Sequence, residues 1–150
     1  MSKHTVYFLS PQQHRGLMAE IWANRLKLTD WDIRSAAWDQ PLINETPFEI
    51  MKEIILDLPD VQPRFYNSQE VGEADLIVAL HDSEYERGDI PTDLPAQKVV
   101  HWDIRNPELR SADSAEQWAL YQEICDEIAV NIKNLEPFFR SDYTQNPAPH

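Results

Sequence analysis

Glycine, cysteine and basic residues are all scarce in this chain, and each scarcity excludes certain structures or binding partners. Three glycines against eleven prolines predict few left-handed turns and stiff loops. The single cysteine, Cys125, can form neither an internal disulfide nor a thiolate metal cage. It lies on the apolar stripe of a predicted helix, where a free cysteine acts as a small hydrophobic residue.

Basic charge is also in short supply. Acidic residues outnumber lysine and arginine by 26 to 13, so the formal net charge is −13. This charge argues against binding to nucleic acid, whose phosphates need a basic surface, and against anionic membranes. The acidity fits two interpretations, which are solubility of the chain or attraction to a basic protein partner.

Long apolar runs are missing as well. No stretch approaches the roughly 20 apolar residues that span a bilayer. Residues 1–9 carry neither the longer apolar run nor the small-residue cleavage site of a secretory leader. We therefore expect a cytoplasmic protein that has no membrane contact and needs no cofactor.

Apolar runs typical of buried strands alternate along the chain with segments of helical spacing. The predicted strands cover residues 5–9, 33–38, 74–80 and 97–102, and the predicted helices cover residues 15–26, 48–59 and 114–135. This alternation predicts an α/β fold with a parallel sheet between two layers of helices. We predict one domain over residues 1–139 and a flexible tail over residues 140–150, where two prolines occur.

Ligands in such sheets bind at the carboxyl ends of the strands. Three segments follow predicted strands and are therefore the expected site, at residues 10–15, 81–89 and 103–107. The first segment is expected to be a loop, because residues 10–13 include Pro11 and interrupt the apolar run.

Several motifs in this order carry a family resemblance. The run at residues 6–9, then Arg15 and the Met-Ala-Glu triplet at 18–20, resembles the strand, C-x5-R phosphate loop and helix of low-molecular-weight tyrosine phosphatases. Residues 35–37 and 75–80 resemble that family's second and third strands, and residues 101–107 resemble a stretch of the thioredoxin-coupled arsenate reductases. The resemblance covers residues 4–135 and implies a three-layer, four-stranded, phosphotyrosine phosphatase I-like fold.

The resemblance also implies altered chemistry. The position of the family's nucleophilic cysteine falls on Ser10, the general acid on Asn106, and the second cysteine of the arsenate reductases on His81. A serine without a base is a weak nucleophile, and asparagine cannot protonate a leaving group. Ser10 and Arg15 enclose four residues where the family has five, and Pro11 removes one N–H from the loop.

Arg15 keeps the residue type of the family's oxyanion-binding arginine, and it fits two interpretations. In one, it binds an oxyanion together with Ser10, Gln12, Gln13 and His14. In the other, it begins a helix and pairs with a carboxylate of the same chain.

The leading hypothesis is therefore a non-catalytic pseudo-phosphatase that binds an oxyanion, a phosphorylated ligand or a protein partner. The alternative is an enzyme of altered chemistry. It would be either a metal-dependent enzyme using His14, His81 and Asp103, or a hydrolase combining Ser10, a histidine and Asp82. A third alternative is residual tyrosine phosphatase or arsenate reductase activity.

Overall fold

The sheet has four strands that all run parallel, as predicted. The computed structural model describes residues 3–40, 49, 52–53, 64–86 and 90–141. The strands are β1 (His4–Gln12), β2 (Trp31–Gln40), β3 (Leu76–His81) and β4 (Val99–Asp103), in the spatial order β2-β1-β3-β4. The predicted α/β class is therefore confirmed.

Helices pack on both faces of the sheet. The described helices are α1 (Gln13–Asn24), α2 (Ser68–Gly72), α3 (Pro107–Arg110) and α4 (Ser114–Arg140), with a 3-10 turn at Ala96–Lys98. The predicted helix at residues 48–59 lies mostly outside the described residues, although Glu49, Lys52 and Glu53 are helical. None of the described helices is long and apolar enough to cross a membrane.

Side chains of β1 alternate between two apolar clusters. Val6 and Phe8 pack with α1 and α4 on one face, and Tyr7 and Leu9 pack with Val71 of α2 on the other. Fully burying side chains of this kind stabilises the fold by about 1.5–3 kcal/mol each. Because both faces of β1 are covered, its sequence is apolar without alternation.

The predicted break after residue 9 is wrong, because β1 continues through Ser10 and Pro11 to Gln12. The pairing of β1 with β2 shifts its register between Ser10 and Gln12, which leaves Pro11 out of the residue pairs. A bulge of this kind accommodates a proline that cannot donate to the ladder. Helix α1 then starts at Gln13, two residues before the predicted start, so no loop separates β1 from α1.

The other strand limits shift by one to two residues. The strands predicted at residues 33–38, 74–80 and 97–102 are observed at Trp31–Gln40, Leu76–His81 and Val99–Asp103. Strand β2 is longer because Trp31 pairs with His4 and Gln40 pairs with Gln12. Strand β3 starts later because Asp75 hydrogen bonds to both backbone groups of Thr5 before the ladder begins.

Three helix predictions also need correction. Helix α1 ends at Asn24 and not at residue 26. Pro107 opens the short helix α3 where a loop was predicted, because Asn106 caps the first turn and proline suits that position. Helix α4 runs five residues beyond the predicted end at 135, and its last turn packs Phe139 against Trp31. Arg140, assigned to the tail, is therefore helical, and residues 142–150 of the predicted tail lie outside the described residues.

Candidate functional site

The junction between β1 and α1 is tightly packed. The Ser10 hydroxyl accepts a hydrogen bond from the Gly16 amide at 3.0 Å and donates one to the carbonyl of Gln12. A Cβ atom on Gly16 would lie 2.7 Å from the Phe8 carbonyl oxygen, so only glycine allows this approach. Ser10 is fully buried, and its hydroxyl serves the turn from strand to helix.

Arg15, in the first turn of α1, is fully buried and paired with a carboxylate. Its Nη1 and Nη2 donate to Oε1 and Oε2 of Glu86 at 2.6 and 2.7 Å, an arrangement in which a planar fork meets a planar anion. Weaker contacts join Nη1 to the Ile104 carbonyl at 3.2 Å and Nη2 to Gln12 Oε1 at 3.4 Å. Of the two interpretations of Arg15, the structure supports the second, in which Arg15 pairs with a carboxylate of the same chain.

Glu86 accepts two hydrogen bonds on each carboxylate oxygen. Besides Arg15, the backbone N–H of Asp82 donates to Oε1 at 2.7 Å and Asn106 Nδ2 donates to Oε2 at 2.8 Å. Burial opposes ionisation of Glu86, but the hydrogen bonds and charge of Arg15 dominate and lower the pKa of its carboxyl. We call the Arg15 guanidinium, the Asn106 amide and the Asp82 N–H the Arg15 cradle.

A second carboxylate, Asp82, lies beside the Arg15 cradle. Arg110 donates to its two oxygens from Nε and Nη2 at 2.8 and 2.9 Å, and the Asn106 backbone N–H adds a bond of 2.9 Å. Burial opposes the charge of Asp82, yet these donors and the Glu84 N–H lower its pKa to about 2. Two linked ion pairs therefore tie together the segments that follow β1, β3 and β4.

Gln13 and His14 point into separate surroundings. Gln13 Oε1 accepts a hydrogen bond from the Arg64 backbone N–H at 2.7 Å. His14 is buried with its ring edge against Tyr121, at a centroid distance of 5.6 Å, and neither ring nitrogen has a hydrogen-bond partner among the described residues. Burial and the nearby Arg15 charge lower the pKa of His14 to about 3, so its imidazole is neutral at pH 7.

The structure does not assemble the predicted metal or hydrolase groups. His81 packs edge-on against His101, and Asp103 accepts two hydrogen bonds from Ser83 at 2.9 and 2.7 Å. Within the part of the chain that the structure describes, no three histidine, cysteine, aspartate or glutamate side chains are placed to share a metal ion. The Ser10 hydroxyl bonds to backbone groups, and Asp82 bonds to Arg110, so no triad forms.

Sequence reasoning missed Glu86 and Arg110. Glu86 lies in a segment that was expected to form the site, but acidic residues at 82, 84 and 86 all follow β3, and Arg110 lies three residues beyond the predicted segment 103–107. One observation could have pointed to Glu86: a buried Arg15 that binds no ligand requires a carboxylate of the same chain. Spacing alone could not select one acidic residue from that run.

Comparison with known proteins identifies the family. Arsenate reductase 1 of Bacillus cereus is 30% identical to this chain over 135 residues, which cover 88% of this chain and 93% of that protein. The chain belongs to the arsenate reductase family. An arsenate reductase of Staphylococcus aureus is 28% identical over 138 residues, covering 91% of this chain and 98% of the relative. No protein-family model matches the chain.

Solved structures agree with this assignment and confirm the predicted fold. The thioredoxin-dependent arsenate reductase of Corynebacterium glutamicum superposes with a TM-score of 0.68 at 19% identity, covering 93% of this chain and 63% of that chain. A low-molecular-weight tyrosine phosphatase of T. tengcongensis gives a TM-score of 0.68 at 18% identity, covering 91% and 99%. An arsenate reductase of Archaeoglobus fulgidus gives 0.62 at 26% identity, covering 87% and 97%.

The one thiol of this arsenate reductase family member is in the hydrophobic core. Cys125 lies in α4 and is fully buried among apolar side chains. Burial raises the pKa of its thiol and so disfavours the thiolate, which is the nucleophilic form. The junction after β1 carries a buried hydroxyl, from Ser10, and no thiol.

Proposed function

We propose that this member of the arsenate reductase family is a non-catalytic binding or regulatory protein. The observation that carries the proposal is the bidentate pairing of Arg15 with Glu86 at 2.6 and 2.7 Å. A reductase or phosphatase of this fold would need its arginine free to hold the substrate oxyanion. Here both Nη groups of the Arg15 guanidinium donate to a carboxylate of the same chain, that of Glu86.

The nucleophile position supports the same conclusion. Ser10 is buried and bonded to backbone groups of Gln12 and Gly16, and no side-chain base among the described residues bonds to its hydroxyl. An unactivated hydroxyl attacks poorly, and oxygen cannot carry the thiol–disulfide steps of arsenate reduction. Cys125 cannot substitute for it, because it is buried in α4.

The acid position supports it as well. Asn106 stands where the resemblance places the general acid, and its Nδ2 donates to Glu86 at 2.8 Å. An aspartate there would bring a second carboxylate against Glu86, and like charges at this distance repel. The amide of Asn106 is therefore matched to an internal carboxylate and cannot supply a proton to a leaving group.

Electrostatics around the Arg15 cradle oppose substrate entry. Glu86 and Asp82 are both buried and ionised, and each is neutralised by a single arginine. A phosphate or arsenate dianion would meet no unpaired cation in this cradle. We therefore propose that the chain binds a protein partner in the cytoplasm, through its outer surface. The proposal includes no binding to nucleic acid or membranes.

The test is a turnover assay on the purified wild-type chain. Thioredoxin-coupled arsenate reduction and aryl phosphate hydrolysis are measured beside the arsenate reductase of Bacillus cereus as the active reference. We expect the wild-type rate to equal that of an Arg15→Met variant in both assays. A wild-type rate well above that variant and above the rate without enzyme would disprove the proposal, because a non-catalytic protein adds nothing to the uncatalysed rate.

A further inference from the structure

We infer that the Arg15 cradle is a receptor for a planar, singly charged carboxylate and not for a tetrahedral oxyanion, with Glu86 as its ligand within the chain. This inference deepens the proposed function and rests on it, since an active reductase site would have to accept a tetrahedral anion. Three features of the cradle carry the inference, which are its donor geometry, the acceptors around it and its charge.

The donors are arranged in two pairs, one for each oxygen of a carboxylate. Oε1 of Glu86 accepts from Arg15 Nη1 at 2.6 Å and from the Asp82 N–H at 2.7 Å. Oε2 accepts from Arg15 Nη2 at 2.7 Å and from Asn106 Nδ2 at 2.8 Å. The guanidinium fork alone would also match two oxygens of a phosphate, so the distinguishing feature is the single further donor to each oxygen, which completes a site for a group with two oxygens.

The remaining contacts of Arg15 are with acceptors. Nη1 also meets the Ile104 carbonyl at 3.2 Å, and Nη2 meets Gln12 Oε1 at 3.4 Å. The Arg15 donor that has no partner among the described residues, Nε, lies off the Nη1–Nη2 edge that faces Glu86. The third and fourth oxygens of a tetrahedral anion would need further donors in a buried site. At the Arg15 fork they would instead meet the oxygen atoms of Ile104 and Gln12, which repel them.

The charge of the surroundings selects an anion with a single charge. Arg15 balances Glu86 in the interior, and Arg110, which is partly exposed and also lies 3.2 Å from the exposed Glu84, balances the neighbouring Asp82. A dianion in place of Glu86 would leave one uncompensated negative charge beside Asp82. An unpaired buried charge is strongly disfavoured, whereas a monoanion restores the existing balance.

The experiment replaces Glu86 with alanine and returns the missing group as a free molecule. The atoms that Glu86→Ala removes beyond Cβ are those of an acetate ion, so acetate is the matched probe. Thermal unfolding of wild type and Glu86→Ala is followed with acetate, with neutral acetamide of the same shape, and with phosphate, arsenate and sulfate. All conditions are compared at equal ionic strength.

We expect Glu86→Ala to lose on the order of 10 °C in Tm, because Arg15 is left unpaired in the interior. Acetate should restore most of this loss in a saturable manner and should leave the wild-type Tm unchanged. Acetamide and the tetrahedral anions should not restore it. A larger recovery with phosphate, arsenate or sulfate than with acetate would overturn the inference, as would equal recovery with acetamide.

A second variant keeps the test informative if Glu86→Ala alone does not fold. The double variant Glu86→Ala/Arg15→Met lacks both members of the pair, so it should be more stable than the single variant and should not respond to acetate. A double variant no more stable than the single one, or one that acetate still stabilises, would show that Arg15 does not form the receptor. Turnover of wild type tests the proposed function separately, so the two results can fail independently.

Discussion

The two ends of the parallel sheet are closed by different kinds of contact. At the amino end, around His4 and Trp31, aromatic rings of α4 cover the strands, and Trp31 Nε1 donates to the Phe139 carbonyl at 2.9 Å. At the carboxyl end, the pairs Arg15–Glu86 and Arg110–Asp82 join the three segments that follow β1, β3 and β4. The first closure combines aromatic packing with the partly exposed contact of His4 with Asp75, whereas the second consists of ion pairs whose carboxylates are buried.

This difference shows that the contacts at the two ends of the sheet should respond differently to pH. An aromatic closure tolerates changes of pH, whereas a buried ion-pair closure requires every member to keep its charge. The carboxyl end is also where a parallel sheet binds ligands. Filling it with paired side chains gives each buried carboxylate its donors, and under the proposed function it also keeps a free anion out of the same place.

The largest expected effect comes from breaking the central pair at the carboxyl end. Arg15→Met leaves the Glu86 carboxylate buried without its cation, and we expect a loss of about 3–5 kcal/mol in the free energy of unfolding at pH 7. Denaturant unfolding measures it. The matched control is Lys3→Met, which breaks the exposed pair with Asp32 and should cost less than about 1 kcal/mol. Similar losses for both variants would contradict the distinction drawn between buried and surface pairs.

The next effect is a pH dependence that comes from His14. Its pKa is about 3 in the fold and 6.5 in the unfolded chain, so below pH 6.5 the unfolded chain takes up a proton that the folded chain does not. Stability is therefore complete above pH 6.5 and falls as the pH decreases towards 3, by up to about 1.4 kcal/mol per pH unit. A His14→Leu variant should lose this slope between pH 6.5 and 4.5.

The control for His14 uses another histidine. His81, whose pKa is also lowered by burial and by the nearby His101, remains in the His14→Leu variant and contributes equally to both proteins. The exposed His101, changed to glutamine, serves as the matched variant: it relieves only the part of the slope that His101 causes through His81, and it should keep the part that comes from His14. An unchanged slope in His14→Leu would mean that His14 is already protonated or exposed in the folded state.

A smaller effect is expected at the amino end. Trp31→Phe keeps an aromatic ring against Phe138 and Phe139 but removes the hydrogen bond to the Phe139 carbonyl, so we expect a loss of about 1 kcal/mol. This loss should be the same at pH 7 and pH 5 when both proteins carry His4→Gln, which removes the titratable ring that lies 5.1 Å from the ring of Trp31. A loss of stability that grew as the pH decreased would show that the contacts at both ends of the sheet depend on pH, against the distinction drawn between the two ends.

The smallest expected effect is on activity. Ser10→Cys alone should leave arsenate reduction and aryl phosphate hydrolysis at the background rate, because Arg15 remains paired with Glu86 and Asn106 remains an amide. The assay is the same one used for wild type, and a thiol titration of the unfolded variant, which should give two thiols against one for wild type, confirms that the new cysteine is present. Clear turnover from this single change would show that the Arg15 cradle still accepts substrate.

Much of the fold could be predicted from local pattern. Apolar runs located all four strands to within two residues at most ends, since strands buried on both faces are continuous in sequence. The long last helix was likewise evident from its spacing. The run through Pro11 was missed, because the register shift that accommodates it depends on the neighbouring strand β2.

The site was only partly predictable. Residues of the segments after β1, β3 and β4 were expected to meet, and Arg15, Asp82 and Asn106 do meet there. The partner of Arg15 was not predictable, because Glu86 lies 71 positions away and is one of several acidic residues in its segment. His14 was expected near an anion, yet it packs on Tyr121 in the interior.

The sequence by itself determined the parallel α/β architecture, the family and the residue types available at the carboxyl end, because these follow from periodicity and from motifs that are local in the chain. Only the tertiary structure decided that Arg15 is paired with Glu86, since folding selects the carboxylate that can be desolvated while receiving four donors. A buried cation requires such a partner, and which residue supplies it depends on three segments meeting in space.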